Sequence, residues 1–278
     1  MKRIANIICE GLSSHYPTGE VTALTRIIAT ELLGVSQMAF YLKDDITLTA
    51  EQQTLLENAI ERLKKQEPIQ YILGYSDFCG LRFKVTPATL IPRPETSELV
   101  EWIASEATGN ESILDIGTGS GCIAISLAHK LLQSKVTAWD ISPDAIAVAT
   151  ENCKANGCAV AFEEVDILAY EPTDKQFDII VSNPPYIKEN EKSAMHSNVL
   201  DWEPHTALFV PDSDPLLFYR TIAKKGLTLL KPGGRLYFEI NRAHGKETME
   251  MLESLGYTEI ELRKDFAEND RMIRTIKD

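Results

Sequence analysis

The chain has 278 residues, of which 44% are hydrophobic and 25% charged, as in an ordinary globular protein of one large or two smaller domains. Its formal net charge of −13 disfavours non-specific binding to nucleic acid or an anionic membrane. No apolar run reaches the roughly 20 residues of a membrane span, and Glu10 interrupts the first apolar stretch too early for a signal peptide. The five cysteines form no Cys-x-x-Cys pair and the five histidines lack metal-ligand spacing. We therefore expect a cytoplasmic protein with reduced thiols and no metal.

Residues 1–72 show helical periodicity and few strand signals, which predicts a small helical domain. The predicted helices cover residues 21–33, 37–42 and 50–65. Ser36 can cap the second of these, and Thr49 with Gln52 forms a capping box before the third. Packing alone is one role for such a domain. An acidic helical appendage on a catalytic domain more often selects a partner, so substrate recognition is the favoured role.

A change of pattern near Gln70 predicts a linker over residues 73–90, with a hairpin between residues 75 and 85. Prolines then flank Arg93 and stiffen the backbone, and Thr96 is predicted to cap the helix that follows. This proline-flanked stretch is equally compatible with a rigid linker and with a wall of an active site.

Strands alternate with helices after residue 109, which predicts an α/β domain over residues 91–278 with a parallel sheet covered on both faces. Strands are predicted at residues 112–116, 136–140, 160–164, 177–182 and 235–239, with a closing pair at 258–262 and 272–276. Helices are predicted at residues 123–132, from Pro143 to the stop at Gly157, and at 245–255. Residues 231–234 are predicted to turn into the fifth strand.

A glycine-rich loop follows the first of these strands. It consists of Asp115, Ile116, Gly117, Thr118, Gly119, Ser120 and Gly121. The glycines let the backbone turn tightly and approach a ligand, and the next helix offers unpaired N–H groups. A dinucleotide-binding loop would read Gly-x-Gly-x-x-Gly, but here the third glycine comes one residue early.

Acidic residues at the ends of neighbouring strands suggest what that loop binds. Asp140 ends the second strand, where a carboxylate reaches ribose hydroxyls in nucleotide-binding sheets. Asp115 can meet an ammonium group, and Asp166 can accept a hydrogen bond from the adenine amine. Ribose, adenine, ammonium and carboxylate together describe S-adenosyl-L-methionine, with S-adenosyl-L-homocysteine as its product.

The motif Asn183, Pro184, Pro185, Tyr186 follows the strand at residues 177–182. Asn183 supplies a side-chain carbonyl and Pro184 a backbone carbonyl, and the two prolines fix the angles between them. Two fixed acceptors beside an aromatic ring suit a planar NH2 group. A proline-rich turn would be the simple alternative, but the glycine loop upstream makes it the weaker one.

The glycine loop and this Asn-Pro-Pro-Tyr motif resemble those of amino-group methyltransferases. Three further stretches narrow the resemblance: Leu90 to Thr96, Glu203 to Leu208, and Asp265 to Arg271. Over essentially its whole length the chain resembles the release factor N5-glutamine methyltransferases, the PrmC/HemK family. The resemblance implies a Rossmann-like class I S-adenosylmethionine-dependent methyltransferase domain with a seven-stranded, mostly parallel sheet, a helical N-terminal domain and a hairpin linker. It implies the glutamine of the Gly-Gly-Gln motif in class-1 peptide chain release factors as substrate.

The resemblance also implies residue roles. Cofactor contacts would come from Asp115, Gly117, Thr118, Gly119, Ser120, Gly121, Asp140, Ile141, Asp166, Ile167 and Asn183, the last of which would also touch the glutamine. Asn183, Pro184, Pro185 and Tyr186 would bind the substrate, with Asn183, Pro184 and Tyr186 acting in catalysis. One position departs from the family pattern, because Ser97 stands where many members have glutamate and Glu98 follows it.

Three alternatives remain at this stage. Ribosomal protein L3 is another protein whose glutamine could be the substrate. A DNA or RNA base methyltransferase would use similar chemistry, but the net charge and the lack of a basic insertion oppose it. A non-catalytic cofactor-binding protein would not need the intact Asn183 to Tyr186 motif. We expect a monomer that contacts neither membrane nor nucleic acid directly.

Overall fold

The computed structural model describes residues 1–42, 46–171 and 173–278. They form two compact units, one of Met1–Gly74 with His196–Trp202 and one of Tyr75–Met195 with Glu203–Asp278. No helix within those three ranges has the length and apolar character needed to cross a bilayer.

The first unit is helical. Its helices are α1 (Lys2–Leu12), α2 (Thr18–Ile27, continued by one π-helical turn at Ile28–Leu32), α3 (Gln37–Leu42), α4 (Ala50–Lys64) and α5 (Ile69–Leu73). The predicted capping box is confirmed, since Thr49 Oγ1 accepts from the Gln52 N–H at 3.2 Å and Gln52 Oε1 accepts from the Thr49 N–H at 3.0 Å. Ser36 Oγ likewise accepts from the Ala39 N–H at 3.2 Å.

Helical spacing of apolar residues builds the core of this unit. Ile4, Ile8 and Leu12 of α1 lie four residues apart and are buried, so they form one stripe of the helix. The stripe packs in one apolar cluster with Leu56 and Leu63 of α4. The second helix begins at Thr18 rather than at the predicted Val21, directly after Pro17.

The second unit is an α/β domain. Its strands are β1 (Tyr75–Phe78), β2 (Leu81–Lys84), β3 (Ser112–Ile116), β4 (Lys135–Asp140), β5 (Val160–Glu164), β6 (Phe177–Ser182), β7 (Ile187–Lys188), β8 (Phe209–Val210), β9 (Leu230–Glu239), β10 (Thr258–Lys264) and β11 (Asp270–Ile276). Strands β1 and β2 form the predicted antiparallel hairpin. The main sheet has the order β10-β11-β9-β6-β3-β4-β5. Its strands are parallel from β9 to β5, and β11 is antiparallel to both of its neighbours. The predicted seven-stranded, mostly parallel sheet is therefore confirmed.

Helices cover both faces of this sheet. They are α6 (Pro94–Glu106), α7 (Cys122–Lys130), α8 (Pro143–Ala155), α10 (Leu217–Leu229) and α11 (Gly245–Ser254), while the short α9 (Ser197–Leu200) belongs to the first unit. Leu99 of α6 packs with Val181 in one apolar core, and Tyr219 of α10 packs with Ile180 in the other. Neighbouring residues of β6 thus face opposite layers, as the alternation of a strand requires.

Two further local predictions were wrong. Thr96 does not cap α6, because the helix begins at Pro94 with Arg93 as its N-cap, and proline is favoured at a first helical position. Strand β9 begins at Leu230, not at Arg235. The residues predicted as a turn, 231–234, form a bulge within the strand, where the pairing with β6 shifts register.

The order of the strands determines where along the sheet a binding crevice opens. From β3 the chain moves to β4 and β5 on one side, whereas β6 lies on the other side of β3. A crevice opens at such a reversal, outside the carboxyl ends of the two strands. The glycine loop after β3 and Asn183 after β6 therefore meet there.

Candidate active site

A cavity of about 360 Å³ lies at this carboxyl edge. The predicted site residues that line it are Gly117, Gly119, Asp140, Ile141, Asp166, Ile167, Asn183, Pro184 and Pro185. The other predicted site residues, Asp115, Thr118, Ser120, Gly121 and Tyr186, do not line it. Most of the exposed wall is apolar, so the few polar groups on it can set the orientation of a ligand.

The glycine loop is held in a conformation that only glycine adopts readily. Gly117, Gly119 and Gly121 have φ values of +76°, +55° and +82°. A Cβ atom at Gly121 would also lie 2.7 Å from Ile125 Cδ1. The N–H groups of Gly117 and Thr118 both donate to the Trp139 carbonyl of β4, at 2.8 and 2.9 Å. The loop is thus fixed to the neighbouring strand before any ligand arrives.

Asp140 links the loop to the helix that follows β4. Its Oδ2 accepts from the Gly119 N–H at 2.8 Å, and its Oδ1 accepts from the Ser142 N–H at 2.9 Å. Burial raises the pKa of the carboxyl, and these two hydrogen bonds act in the opposite direction. Asp140 is therefore pre-oriented at the cavity wall with lone pairs left for a hydroxyl ligand.

Asp115 is fully buried beneath the loop. Its Oδ2 accepts from the Thr118 hydroxyl at 2.6 Å, whereas its Oδ1 has no partner at full hydrogen-bond geometry among the described residues. The Ala124 N–H in the first turn of α7 nevertheless lies close enough to lower the pKa of the carboxyl. Burial raises the pKa of Asp115 to about 7. An unpaired buried carboxylate oxygen is costly, and a ligand ammonium group would offset that cost.

Asp166 and Ile167 follow β5 and line the far side of the cavity. The Asp166 side chain is exposed and its Oδ1 accepts from the Leu168 N–H at 2.8 Å, while Ile167 is buried. Ile141 and Leu168 are apolar side chains that are 57% and 43% exposed beside them. An exposed acceptor between apolar side chains suits a flat heterocycle with an amino group.

Asn183 is half-buried at the end of β6, and its Nδ2 donates to Thr96 Oγ1 at 3.5 Å. Among the described residues, no hydrogen bond uses Asn183 Oδ1 or the Pro184 carbonyl. Both predicted acceptors are therefore available at the cavity.

Tyr186 lies off the cavity wall, where its ring packs against the apolar core on the α10 side of the sheet. Its carbonyl accepts from Asn241 Nδ2 at 3.1 Å, and burial raises the pKa of its hydroxyl. The contact of this ring with a substrate amide stays a prediction. In this structure Tyr186 anchors the turn that carries Asn183.

Sequence reasoning assigned no role to Glu203, which supports the site. Glu203 is buried and accepts from Arg93 Nη2 at 2.5 Å and from the Ile91 N–H at 3.1 Å, so it holds the proline-flanked stretch in place. Leu90 of the same stretch lines the cavity, which favours an active-site wall over a plain linker. Glu203 begins the stretch Glu203 to Leu208 that supports the family resemblance, but the sequence alone gave this stretch no role.

Glu98, the residue beside the departure from the family pattern, has a contact of its own. Its Oε1 accepts from the Phe266 N–H at 3.1 Å, and Ser97 Oγ donates to the Pro94 carbonyl at 2.5 Å. Glu98 thus holds the loop between β10 and β11, whereas Ser97 closes the first turn of α6.

Comparison with known proteins identifies the family of the chain. The family described as "Methyltransferase small domain" matches residues 95–201, and the "PrmC N-terminal domain" matches residues 10–74. The release factor glutamine methyltransferase of Bacteroides thetaiotaomicron is 50% identical over 274 residues, covering 98% of this chain and 99% of that protein. The protein of the same name from Flavobacterium psychrophilum is 47% identical, covering 95% of both chains. The chain belongs to the release factor glutamine methyltransferase family.

Membership of this family confirms the predicted S-adenosylmethionine-dependent methyltransferase and supports the release factor interpretation over the ribosomal L3 alternative. A solved methyltransferase from Pyrococcus furiosus shares the fold, with a TM-score of 0.54 at 18% identity, covering 82% of this chain and 99% of that one. The unpaired Asp115 oxygen and the pre-oriented Asp140 carboxylate suit the ammonium and ribose groups of S-adenosylmethionine.

Proposed function

We propose that this chain methylates the side-chain amide nitrogen, N5, of the glutamine in the Gly-Gly-Gln motif of class-1 peptide chain release factors, and so modulates translation termination. One observation carries the proposal. Asn183 turns its NH2 group towards Thr96, and neither its carbonyl oxygen nor the Pro184 carbonyl has a hydrogen-bond partner among the described residues. That pair of acceptors matches the NH2 group of a primary amide.

The cofactor is proposed to lie along the carboxyl edge of the sheet. Asp140 would hold the ribose, Asp166 and Ile167 would border the adenine, and the glycine loop with Asp115 would meet the amino acid end. S-adenosylmethionine, when bound, supplies an electrophilic methyl group on its sulfonium. The mostly apolar cavity wall would exclude water from that region.

An amide nitrogen is a poor nucleophile because its lone pair is delocalised into the carbonyl. Asn183 Oδ1 and the Pro184 carbonyl would accept its two N–H bonds, hold the nitrogen in line for attack and favour its pyramidalisation as charge develops. The ionisable side chains on the cavity wall are Asp140 and Asp166, both assigned to the cofactor. The proposed mechanism therefore relies on positioning and electrostatics, with no general base before methyl transfer, and the methylated nitrogen then releases its surplus proton to water.

The helical domain, residues 1–72, is proposed to recognise the folded release factor. Release factors act in the cytoplasm, and we place the enzyme there as a monomer that binds no nucleic acid directly. If the helical domain binds the release factor and the α/β domain binds the cofactor, changes in the first unit should alter the KM for release factor and leave cofactor affinity unchanged.

A parallel methylation assay tests the proposal. Labelled S-adenosylmethionine is offered to the enzyme with release factor, ribosomal protein L3, ribosomal RNA or duplex DNA, and a release factor with Gly-Gly-Asn in place of Gly-Gly-Gln is the matched control. We expect label on release factor alone, at the glutamine, and none on the control. Label on any other substrate at a higher rate would contradict the proposal.

A further inference from the structure

The end of β6 and the end of β9 are neighbours with matched side-chain directions. The two strands are parallel, and Ser182 pairs with Phe238, so Asn183 and Glu239 come next on each strand. Val181 and Tyr237, two residues earlier, both pack in the core on the α6 side of the sheet. Side chains alternate along a strand, so Asn183 and Glu239 both point towards α6 as well.

Thr96, in the first turn of α6, joins these two side chains. Its hydroxyl donates to Glu239 Oε2 at 2.6 Å and accepts from Asn183 Nδ2 at 3.5 Å. The Asn183 contact is the weaker of the two, because its length is at the upper limit for a hydrogen bond. Thr96 and Glu239 are only 2% and 1% exposed, so water does not compete for these hydrogen bonds.

The single hydroxyl proton of Thr96 determines which end of the Asn183 amide faces this hydroxyl. A threonine hydroxyl has one proton, and when Glu239 is ionised that proton goes to its carboxylate. The remaining lone pairs of Oγ1 can only accept, so the Asn183 group that faces them must be NH2. The Asn183 oxygen then faces away from Thr96. With the amide reversed, two oxygens would face each other and an NH2 group would meet the substrate NH2.

We propose that Thr96 and Glu239 are positioning residues for methyl transfer, which orient the Asn183 amide so that its oxygen receives the substrate N–H. This inference rests on the proposed function, because it assumes that the substrate presents an NH2 group. Neither residue touches the substrate amide. They act through Asn183, and no sequence motif had marked Glu239 as functional.

The environment of Glu239 supports a functional role. Thr96 is its hydrogen-bonding side chain, and the charged groups that influence it are Arg271 on β11 and Arg93 and Glu95 at the start of α6. Burial raises its pKa to about 7. A buried carboxyl costs stability compared with a well-packed apolar side chain. Its presence at this position is explained if it directs the Thr96 proton.

Two matched pairs of variants test the inference. Thr96→Val keeps the shape of the side chain but removes the hydroxyl, whereas Thr96→Ser keeps the hydroxyl. Glu239→Leu removes the acceptor, whereas Glu239→Gln keeps a carbonyl that can accept from Thr96. Each variant is assayed for kcat and KM with release factor and for the Kd of S-adenosylhomocysteine.

We expect kcat to fall at least about tenfold in Thr96→Val and Glu239→Leu, since the Asn183 amide would lose its fixed direction. The KM for release factor and the cofactor Kd should stay within about twofold of the parent in all four variants. A merely structural role would move all three constants together. If Thr96→Val or Glu239→Leu fails to fold, the other pair of variants still tests the inference.

Equal kcat in the two members of a pair, or loss of cofactor binding in step with kcat, would overturn the inference. Failure of the parent enzyme to methylate release factor is a separate outcome. It would overturn the proposed function, and this inference with it.

Discussion

The backbone N–H of Gly119 donates to Asp140 Oδ2 at 2.8 Å, so the residue predicted to bind the ribose also fixes the glycine loop. Replacing Asp140 with alanine should weaken S-adenosylhomocysteine binding by about 1.5–3 kcal/mol, through the loss of charge-assisted hydrogen bonds. Calorimetric titration measures this loss. Asp140→Asn is the matched control, because it keeps a carbonyl acceptor for the loop but removes the charge. A Kd in Asp140→Ala equal to that of the parent would remove Asp140 from the cofactor site.

Asp115 gives a prediction about pH. Its ordinary pKa of 3.8 is raised to about 7 in the folded protein, mainly by burial, so between those values the folded state holds a proton that the unfolded state has released. The free energy of unfolding therefore falls as pH rises through this window. Asp115→Asn cannot lose that proton, and we expect it to be more stable than the parent by about 1–4 kcal/mol at pH 8 but not at pH 4.

Urea unfolding of cofactor-free parent and Asp115→Asn at both pH values checks this, since the groups common to both proteins cancel in the difference. The same variant should bind S-adenosylhomocysteine more weakly, because the ligand ammonium loses its partner. A stability difference that does not change with pH would contradict the assignment of the raised pKa to Asp115.

The proposed role of the helical domain can be tested on the exposed face of α3. Met38, Tyr41 and Leu42 are 73%, 69% and 68% exposed, and clustered exposed apolar side chains mark interaction surfaces. Replacing all three with serine should raise the KM for release factor by at least about tenfold, with the cofactor Kd unchanged. Leu132→Ser is the control, because Leu132 is 84% exposed but lies in the other unit. An unchanged KM in the triple variant would exclude this face from recognition.

Local patterns were sufficient to predict most of the fold. The β-branched strands and the capping residue Ser142 act over a few residues, and the structure has them where the sequence predicted them, with Ser142 Oγ accepting from the Ala145 N–H at 3.2 Å. The capping role predicted for Thr96 was wrong because that prediction also used only the local sequence. A threonine near the start of a helix is a common cap. The neighbouring residues give no sign that its hydroxyl donates to Glu239, which lies far along the chain.

The site was predictable where a motif sits at a strand end and not where side chains from distant segments meet. Asp140 ends one strand and Asn183 follows another, so both could be placed on one edge of the sheet. The pairing of Arg93 with Glu203 depends on tertiary packing. So does the position of Tyr186, whose ring packs against the core on the α10 side of the sheet.

In the proposed mechanism Asn183 accepts one N–H of the reacting amide while Pro184 accepts the other. The most direct test is single-turnover methylation of release factor by Asn183→Ala at saturating S-adenosylmethionine. The rate should fall by about 10²–10³, as for the loss of one preorganised electrostatic contact. The Kd of S-adenosylhomocysteine should rise far less than the rate falls, because most proposed cofactor contacts lie elsewhere. A rate within about threefold of the parent would contradict the account.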